Sequence, residues 1–386
     1  MITKNIEFKN FKKKTSTKKI LIDLKKLLKE NNEIIKSLGL KYKNSYNKKT
    51  IKKYQKFKDI NVIGMGGSTL GTESIYRFLK HKIKKNFIFF DNLNPNIIIT
   101  KKKERSLNLI ISKSGNTIET ISNVNIILKK NENHNIFITE NKKSYLLLLA
   151  EKLKSEIVHH NNFIGGRYSV LSEVGMLPAE LMGLSKYNFK QMNNLIKNKK
   201  FINSLVLNVS NLLYFLNKKK LNSIILNYDE KSFALFQWYQ QLMAESIGKN
   251  GVGFLPTIST MPKDNHSLMQ LYLDGPKNNF FTFFSAKEKK SHNINNDEIL
   301  ASHNYLKNKN IYKIMTAQKD ATKNVFKKKK IPFRSFEIIN RSEKTLGELF
   351  CFFILETILL GRALKLNPYN QPSVELIKQE TKKILI

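Results

Sequence analysis

The segment from about residue 59 to residue 140 alternates short apolar runs with amphipathic stretches, and this alternation limits the chain to an α/β fold. The apolar runs have the length of strands, and the stretches between them carry apolar residues at a helical period. The strand-like runs are DINVIGM, NFIFFDN, SLNLIIS and NIFITE, and the helix-like stretches are LGTESIYRFLK and TIETISNVNIILKK. Strands joined through helices pair in parallel, so this part predicts one doubly wound unit.

A similar alternation resumes at about residue 201 and predicts a second unit. LNSIILNY, FFTFFS and FRSFEII read as strands, FALFQWYQQLMAES reads as a long helix, and another helix follows Pro262. The lysine-rich residues 1–58 carry helix-period apolar positions, as in ILIDLKKLLKE, so one or two short surface helices are expected there. The last part predicts two helices separated by a break at Asn367–Pro368.

The most apolar helical stretch is LFCFFILETILLG at 349–361. Glu356 interrupts it, and it is shorter than the roughly 20 residues that a membrane span needs, so it predicts a buried core helix. Cys351 lies in this stretch and is the only cysteine, which excludes an intrachain disulfide and predicts a small buried apolar side chain. The first residues, MITKNIEFKNFKKK, lack the apolar core of a signal peptide, so a cytoplasmic location is expected.

The formal net charge of +38 would ordinarily suggest a nucleic-acid or anionic-membrane partner. The lysines do not form one basic arm, however, because they are scattered along the whole chain. Their short runs lie at 12–14, 82–85, 101–103, 142–143, 198–200, 218–220, 287–290 and 327–330. We therefore predict no nucleic-acid and no membrane partner, and a general positive potential that favours encounter with a small anionic substrate.

Two loops that follow predicted strands have the composition of an anion site. In GMGGS, residues 64–68, small residues let main-chain N–H groups approach a ligand, although tight packing alone would also explain them. In ISKSGNTIET, residues 111–120, the hydroxyls of Ser112, Ser114 and Thr117 can donate to a phosphate at the start of a helix. Neither loop has a GK[ST] ending or an acidic ribose clamp, so the pattern favours a phosphomonoester over a nucleotide.

Six motifs together resemble those of the phosphoglucose isomerase family, in the same order and across residues 61 to 378. They are GMGGSTLG, SKSGNTIET, IGGRYSVLSEVG, QQLMAESIGK, PKDNHSLMQLYLDGP and QPSVELIK. The first two occur throughout sugar-isomerase (SIS) domains, and the later ones are more specific. The resemblance implies an α/β fold of two SIS-type doubly wound parallel-sheet domains, each an α-β-α sandwich, with helical N- and C-terminal segments. The expected division is a helical segment 1–58, a first SIS domain 59–200, a second SIS domain 201–342 and C-terminal helices 343–386.

The resemblance also implies the catalytic residues. Glu245 matches the base that moves a proton between C1 and C2 of an open-chain sugar through a cis-enediol(ate), although spacing alone would place it on the wet stripe of an amphipathic helix. Arg167 matches the arginine that stabilises the enediolate, His266 the histidine of ring opening, and Lys378 the lysine that assists it. In the family the histidine comes from the neighbouring subunit, so a homodimer is expected.

The remaining site residues follow from the same resemblance. Ser112, Lys113, Ser114 and Thr117 match the phosphate loop. The sugar is expected to contact Gly66, Gly67 and Ser68, with Gln241 one turn before the base and Gln371 at the rim. No cofactor and no metal are implied. His159 and His160 form the one tempting pair, but adjacent side chains on an extended segment point to opposite faces and chelate poorly.

The activity implied is the interconversion of D-glucose 6-phosphate and D-fructose 6-phosphate, with the hexose 6-phosphate as the small-molecule partner. Where this chain has Ser114–Gly115, the family commonly has threonine and then a bulky residue. The Ser–Gly pair resembles that of bifunctional phosphoglucose/phosphomannose isomerases. An isomerase of wider substrate range is therefore one alternative. A sugar-phosphate sensor without enzymatic activity is another, although a sensor would need the phosphate loop and no base.

Overall fold

The computed structural model describes residues 1–96, 106–128 and 134–386. Its strands are β1 (Ile6–Lys9), β2 (Asp59–Gly64), β3 (Asn86–Phe90), β4 (Ser106–Ile111), β5 (Asn135–Thr139), β6 (Glu156–His159), β7 (Asn222–Asn227), β8 (Leu255–Thr260), β9 (Asn279–Ala286) and β10 (Phe333–Ile338). Its α-helices are α1 (Lys18–Leu27), α2 (Glu33–Ser37), α3 (Lys48–Tyr54), α4 (Leu70–Phe78), α5 (Ile118–Ile127), α6 (Tyr145–Lys152), α7 (Glu173–Leu181), α8 (Lys186–Phe189), α9 (Met192–Leu195), α10 (Lys199–Asn217), α11 (Phe233–Ile247), α12 (Met269–Asp274), α13 (Ile311–Lys328), α14 (Glu343–Ala363) and α15 (Pro372–Leu385). The lysine run 101–103 and the last two residues of the helix-like stretch 117–130 lie outside the described residues.

The strands form two five-stranded sheets. One has the order β3-β2-β4-β5-β6 and is parallel throughout. The other has the order β1-β10-β9-β7-β8 and is parallel except for β1, which runs antiparallel to β10. This confirms the predicted α/β class. The sequence patterns missed β6 and β8 because both are edge strands with partly exposed positions, so neither has a continuous apolar run.

The N-terminal segment differs from the expected pair of surface helices. It forms three short helices and also the strand β1, in which Ile6 pairs with Ile338 of β10. The first helix buries Ile20, Leu24 and Leu27 in the main core. A four-residue strand among lysines gives too short an alternation to predict. The division of the chain into four parts stays a prediction, although the first part extends the second sheet.

The stretch 349–361 is buried along its length within α14, which confirms the predicted core helix. Cys351 is a buried free thiol, as expected. A fully buried ion pair joins this helix to β10, where Arg334 Nη1 donates to Glu356 Oε2 at 2.7 Å. The hydroxyl of Tyr239 on α11 donates to the other oxygen of Glu356 at 2.8 Å. Across the described residues, none of the helices combines the length and apolarity required to cross a bilayer.

A buried ladder of asparagine amides fixes the register of the first sheet. Asn61 of β2 donates to Asn108 of β4 at 2.9 Å, and Asn108 donates to Asn135 of β5 at 2.8 Å. Shifting one strand by one residue would break these bonds and leave amides buried without partners. The ladder therefore aligns the carboxyl ends of β2 and β4, where Gly64 lies beside Ile111.

Candidate active site

The two predicted loops lie side by side because they leave the carboxyl ends of adjacent parallel strands. The loop after β2 forms a 3₁₀ turn at Gly66–Ser68 and leads into α4. The loop after β4 spans residues 112–117 and leads into α5. Ligands of doubly wound sheets bind at such an edge, near the positive ends of the helices that follow.

The 112–117 loop presents hydroxyl groups at the start of α5. Ser112 is buried, and its Oγ lies 3.1 Å from Oγ1 of Thr117, the residue that precedes the helix. The Oγ of Ser114 is exposed at the surface and accepts the amide of Asn116 at 3.3 Å. The ammonium of Lys113 donates to the carbonyl of Asn162 at 2.7 Å. Hydroxyls beside the first amides of a ten-residue helix suit an anionic group.

Gly115 has a structural reason in this chain. Its φ of +65° is in the left-handed region, and a Cβ there would lie 2.7 Å from the Cβ of Ser144 and closer still to its Oγ. Ser144 caps α6, and the carbonyl of Gly115 accepts the amide of Leu146 at 3.0 Å. The glycine therefore lets the loop pack on the start of α6, so Ser114–Gly115 need not reflect substrate range.

Glu245 and Gln241 lie one turn apart on α11 and meet the arginine of the Gly166–Leu171 3₁₀ turn. Arg167 Nη1 donates to Glu245 Oε2 at 2.9 Å, and Gln241 Nε2 donates to Glu245 Oε1 at 2.8 Å. These two bonds orient both carboxylate oxygens, while the side chain of Glu245 stays 30% exposed. The carboxylate is thus held in place and still accessible to a substrate.

The guanidinium of Arg167 is almost completely buried and uses its remaining donors to fix its position. Nε donates to Ser246 Oγ at 2.8 Å, and Nη1 also donates to Gln371 Oε1 at 2.8 Å. Nη2 donates to the carbonyls of Pro368 at 2.7 Å and Asn370 at 3.2 Å. The arginine therefore joins α11 to the segment that precedes α15.

Two glycines allow these elements to approach closely. A Cβ on Gly67 would lie 2.5 Å from the amide nitrogen of Arg167 and 2.6 Å from the carbonyl oxygen of Gly166. A Cβ on Gly66, whose φ is +54°, would lie 2.8 Å from Gln241 Nε2. The structure thus brings the Gly66–Ser68 turn, Arg167, Gln241, Glu245 and Gln371 together.

His266 and Lys378 lie elsewhere in this single chain. His266 is exposed at the end of the 3₁₀ turn Lys263–His266, which follows β8. Among the described residues, no hydrogen bond joins it to Arg167 or Glu245. Lys378 lies on α15, a helix without buried residues, and its ammonium pairs with Glu375 at 2.6 Å. The roles expected of both residues stay predictions.

Several residues that support Arg167 were not found from the sequence. Ser246 Oγ accepts a hydrogen bond from Arg167 Nε and also lies 2.8 Å from the hydroxyl of Tyr168. The indole of Trp238 donates to the carbonyl of Arg167 at 3.1 Å. Burial raises the pKa of Tyr168 to about 12, so it acts as a neutral hydrogen-bonding group. Lys249 binds the carbonyl of Asn367; burial lowers its pKa, and the nearby Arg167 charge lowers it further. Ser246 and Lys249 follow Glu245 in the motif QQLMAESIGK, and Tyr168 follows Arg167 in IGGRYSVLSEVG, so these two motifs were the available signal.

The histidine pair behaves as two separate residues. His159 ends β6, whereas the ring of His160 is buried, with Nδ1 2.6 Å from Glu173 Oε1 and Nε2 2.9 Å from the carbonyl of Ile164. Both ring nitrogens of His160 are therefore engaged. In the part of the chain that the structure describes, no group of three or more His, Cys, Asp or Glu side chains could hold a metal ion.

Solved structures share this fold. A hypothetical protein from Thermus thermophilus matches 96% of this chain and 94% of its own, with a TM-score of 0.83 and 23% identity. A glucose-6-phosphate isomerase from Chlamydia trachomatis matches 92% of this chain and 73% of its own, with a TM-score of 0.65 and 20% identity.

Sequence comparisons identify the family. A glucose-6-phosphate isomerase from Methanocaldococcus jannaschii is 32% identical over 350 residues, covering 85% of this chain and 83% of that protein. One from Mycoplasmopsis pulmonis is 33% identical over 356 residues, covering 84% and 82%. The family profile described as phosphoglucose isomerase matches residues 9–386, so it includes the N-terminal helices that the six motifs left unmatched. The chain belongs to the phosphoglucose isomerase family.

Proposed function

We propose that the chain is an aldose–ketose isomerase that interconverts D-glucose 6-phosphate and D-fructose 6-phosphate in glycolysis and gluconeogenesis. The observation that carries this proposal is the ion pair in which Arg167 Nη1 lies 2.9 Å from Oε2 of Glu245, whose side chain is 30% exposed. A base beside a fixed cation is what proton transfer next to a carbonyl needs.

Glu245 acts as the base. Its carboxylate takes the proton from C2 of the open-chain aldose, a C1–C2 double bond forms, and the carbonyl electron pair moves onto the C1 oxygen. The hydroxyl proton on the C2 oxygen then passes to the C1 oxygen, and return of the proton from Glu245 to C1 leaves a carbonyl at C2, which gives the ketose. Gln241 supports this role because its amide holds the second carboxylate oxygen at 2.8 Å. Arg167 stabilises the negative charge of the enediolate, since its buried guanidinium is already oriented by five neighbouring acceptors.

The phosphate group binds in the 112–117 loop. Ser112, Ser114 and Thr117 supply hydroxyls, and the first amides of α5 supply further donors. Lys113 contributes positive charge, although its ammonium also interacts with Glu140 at 3.3 Å. Gly67 and Ser68 line the sugar side of the same edge of the sheet, and Gln371 lies at the rim, bound to Arg167.

Ring opening is assigned to His266 and Lys378, and the active form is a homodimer in which His266 of the partner subunit completes each pocket. The exposure of His266, and its lack of contact with Glu245 among the described residues, support a source outside the chain's own pocket. Gln371 directly precedes α15, the helix that carries Lys378, so the hydrogen bond between Arg167 and Gln371 ties the start of that helix to the site.

Three further expectations accompany this function. The proposed domain organisation is the four-part division with boundaries at residues 58, 200 and 342. The proposed location is the cytoplasm, and the proposed reaction requires no cofactor. Acceptance of mannose 6-phosphate is the alternative that a rate assay with each hexose 6-phosphate, offered separately, would decide. A binding protein without activity is the second alternative, and any turnover that depends on Glu245 excludes it.

The test of the base is Glu245→Gln, which keeps the shape and removes the proton acceptor. Turnover should fall about a hundredfold or more, while inhibition by inorganic phosphate stays nearly unchanged. Glu151→Gln on the exposed side of α6 is the matched control and should be fully active. A Glu245→Gln enzyme with most of the normal rate would contradict the assignment.

The shared pocket is tested with two inactive proteins, His266→Ala and Glu245→Gln, unfolded and refolded together. Random mixing gives about half heterodimers, and each of these has one pocket with both changes and one with neither. Activity should therefore recover to about a quarter of the normal sites. No recovery despite proven subunit exchange would place His266 in its own subunit's pocket or outside catalysis.

A further inference from the structure

A buried side-chain pair lies directly behind the loop that carries Arg167. His160 follows β6, Glu173 begins α7, and the two side chains are each only 1% exposed. Nδ1 of His160 lies 2.6 Å from Glu173 Oε1, and Nε2 lies 2.9 Å from the carbonyl oxygen of Ile164. The His160 ring therefore connects Glu173, which follows the Arg167 turn in the chain, to Ile164, which precedes it.

The hydrogen bonds around the pair use most of its polar atoms. Glu173 accepts the amide of Asn161 at 2.9 Å and the hydroxyl of Tyr42 at 3.0 Å. Burial by itself would raise the pKa of Glu173, but the hydrogen bond and charge of His160 and the Asn161 amide hold it below its ordinary value. The carbonyl of Ile164 can only accept, so Nε2 of His160 donates to it, and Nδ1 shares the second hydrogen bond with Glu173.

The loop from residue 160 to residue 166 depends on this pair because side chains supply most of its hydrogen bonds. Asn161 is held by Glu173 through its amide and by Glu33 through its side chain at 3.0 Å. Phe163 is 81% exposed, so it contributes little packing. Ile164 is fully buried in the main core, and Gly166 packs against Gly67. These contacts and the His160–Glu173 pair together set the place where the chain enters the Arg167 turn.

We propose that His160 and Glu173 are positioning residues that hold the 160–166 loop so that the guanidinium of Arg167 stays aligned with Glu245 during turnover. This inference rests on the role given to Arg167 in the proposed function. Neither residue touches Glu245 or the phosphate loop hydroxyls in the described contacts, so both act through Arg167.

The first test compares two substitutions on the same helix. Glu173→Gln replaces the carboxyl group that binds His160 and the hydroxyl of Tyr42. Glu180→Gln, also on α7, replaces a carboxyl group that accepts the hydroxyl of Tyr46, likewise in the N-terminal segment, at 2.5 Å. Glu173→Gln should lower kcat about tenfold, because an active group displaced by a fraction of an ångström loses alignment, and should leave KM within about twofold. Glu180→Gln should leave both unchanged. A normal kcat for Glu173→Gln, or an equal loss in both variants, would overturn the inference.

The second test asks whether Glu173 acts through Arg167. In an Arg167→Ala background, Glu173→Gln should cause no further loss of kcat, since coupled residues show non-additive effects. A full additional tenfold loss would overturn the inference. If Arg167→Ala is itself fully active, the role of Arg167 in the proposed function fails. If Arg167→Ala is impaired and Glu173→Gln is not, only the present inference fails.

A measurement on the unaltered protein keeps the inference testable if Glu173→Gln does not fold. Nitrogen NMR of the enzyme labelled at the histidine ring nitrogens should show a slowly exchanging proton on Nε2 of His160, because this nitrogen donates to the buried carbonyl of Ile164. The six other histidines serve as the internal comparison. A His160 ring without a proton on Nε2, or one whose ring protons exchange as fast as those of an exposed histidine, would show that the ring does not bridge Glu173 and Ile164 and would overturn the inference.

Discussion

Gly67→Ala should disable the enzyme by separating the two turns that form the site. The added Cβ would lie 2.5 Å from the amide nitrogen of Arg167 and 2.6 Å from the oxygen of Gly166. Both neighbours are backbone atoms, so no side-chain rotation relieves the overlap. The turns must move apart by about 1 Å to reach ordinary van der Waals distance.

The size of the effect follows from that displacement. A shift of about 1 Å in a catalytic group costs about a hundredfold in rate, and overpacking of this kind costs about 1–3 kcal/mol of stability. The rate for fructose 6-phosphate is measured through a coupled glucose-6-phosphate dehydrogenase reaction, and urea unfolding gives the stability. We expect kcat/KM to fall about a hundredfold in Gly67→Ala while the protein remains folded.

Gly165→Ala is the matched control. Gly165 has φ −68° and ψ 153°, which alanine adopts freely, and its added Cβ would meet only Tyr168 Cδ2 at 3.8 Å. This variant should keep nearly normal kcat/KM and stability. Normal activity in Gly67→Ala, or an equal loss in Gly165→Ala, would refute the argument that close backbone approach builds the site.

Three other predictions concern separate parts of the molecule. Glu356→Gln should lower the free energy of unfolding by about 3–5 kcal/mol in urea titrations, because it leaves the buried charge of Arg334 without its partner. Replacing both Ser112 and Thr117 by alanine should weaken inhibition by inorganic phosphate, by about 1.5–3 kcal/mol for each lost bond to a charged oxygen; unchanged inhibition would mean that the loop holds another group. Burial lowers the pKa of Lys190 to about 7. From about pH 7 to about pH 10.4 the unfolded chain therefore binds more protons than the folded one, so the contribution of Lys190 to the free energy of unfolding rises with pH over that range. Lys190→Met should remove this pH dependence of the free energy of unfolding, a slope of up to about 1.4 kcal/mol for each pH unit. Parallel curves of unfolding free energy against pH for the two proteins would contradict this.

The sequence by itself determined the class of fold and the chemistry of the loops. The alternation of apolar runs and helical periods depends on residues a few positions apart, and it predicted part of each sheet, without β1, β6 and β8. The apolar run at 349–361 likewise predicted the buried helix α14. The glycines and hydroxyls of the 64–68 and 111–120 loops likewise act through local backbone conformation. The resemblance of six motifs then indicated Glu245 and Arg167 as residues of one site, and the structure brings them to 2.9 Å.

Only the tertiary structure decided which distant side chains meet. Arg167 binds Ser246 across 79 positions and Gln371 across 204 positions, and β1 joins the second sheet through a partner more than 300 residues away. His160 looked like half of an adjacent histidine pair and instead pairs with Glu173. Local patterns contain no information on such contacts, because they arise when complete sheets and helices pack against one another and bury their shared surfaces.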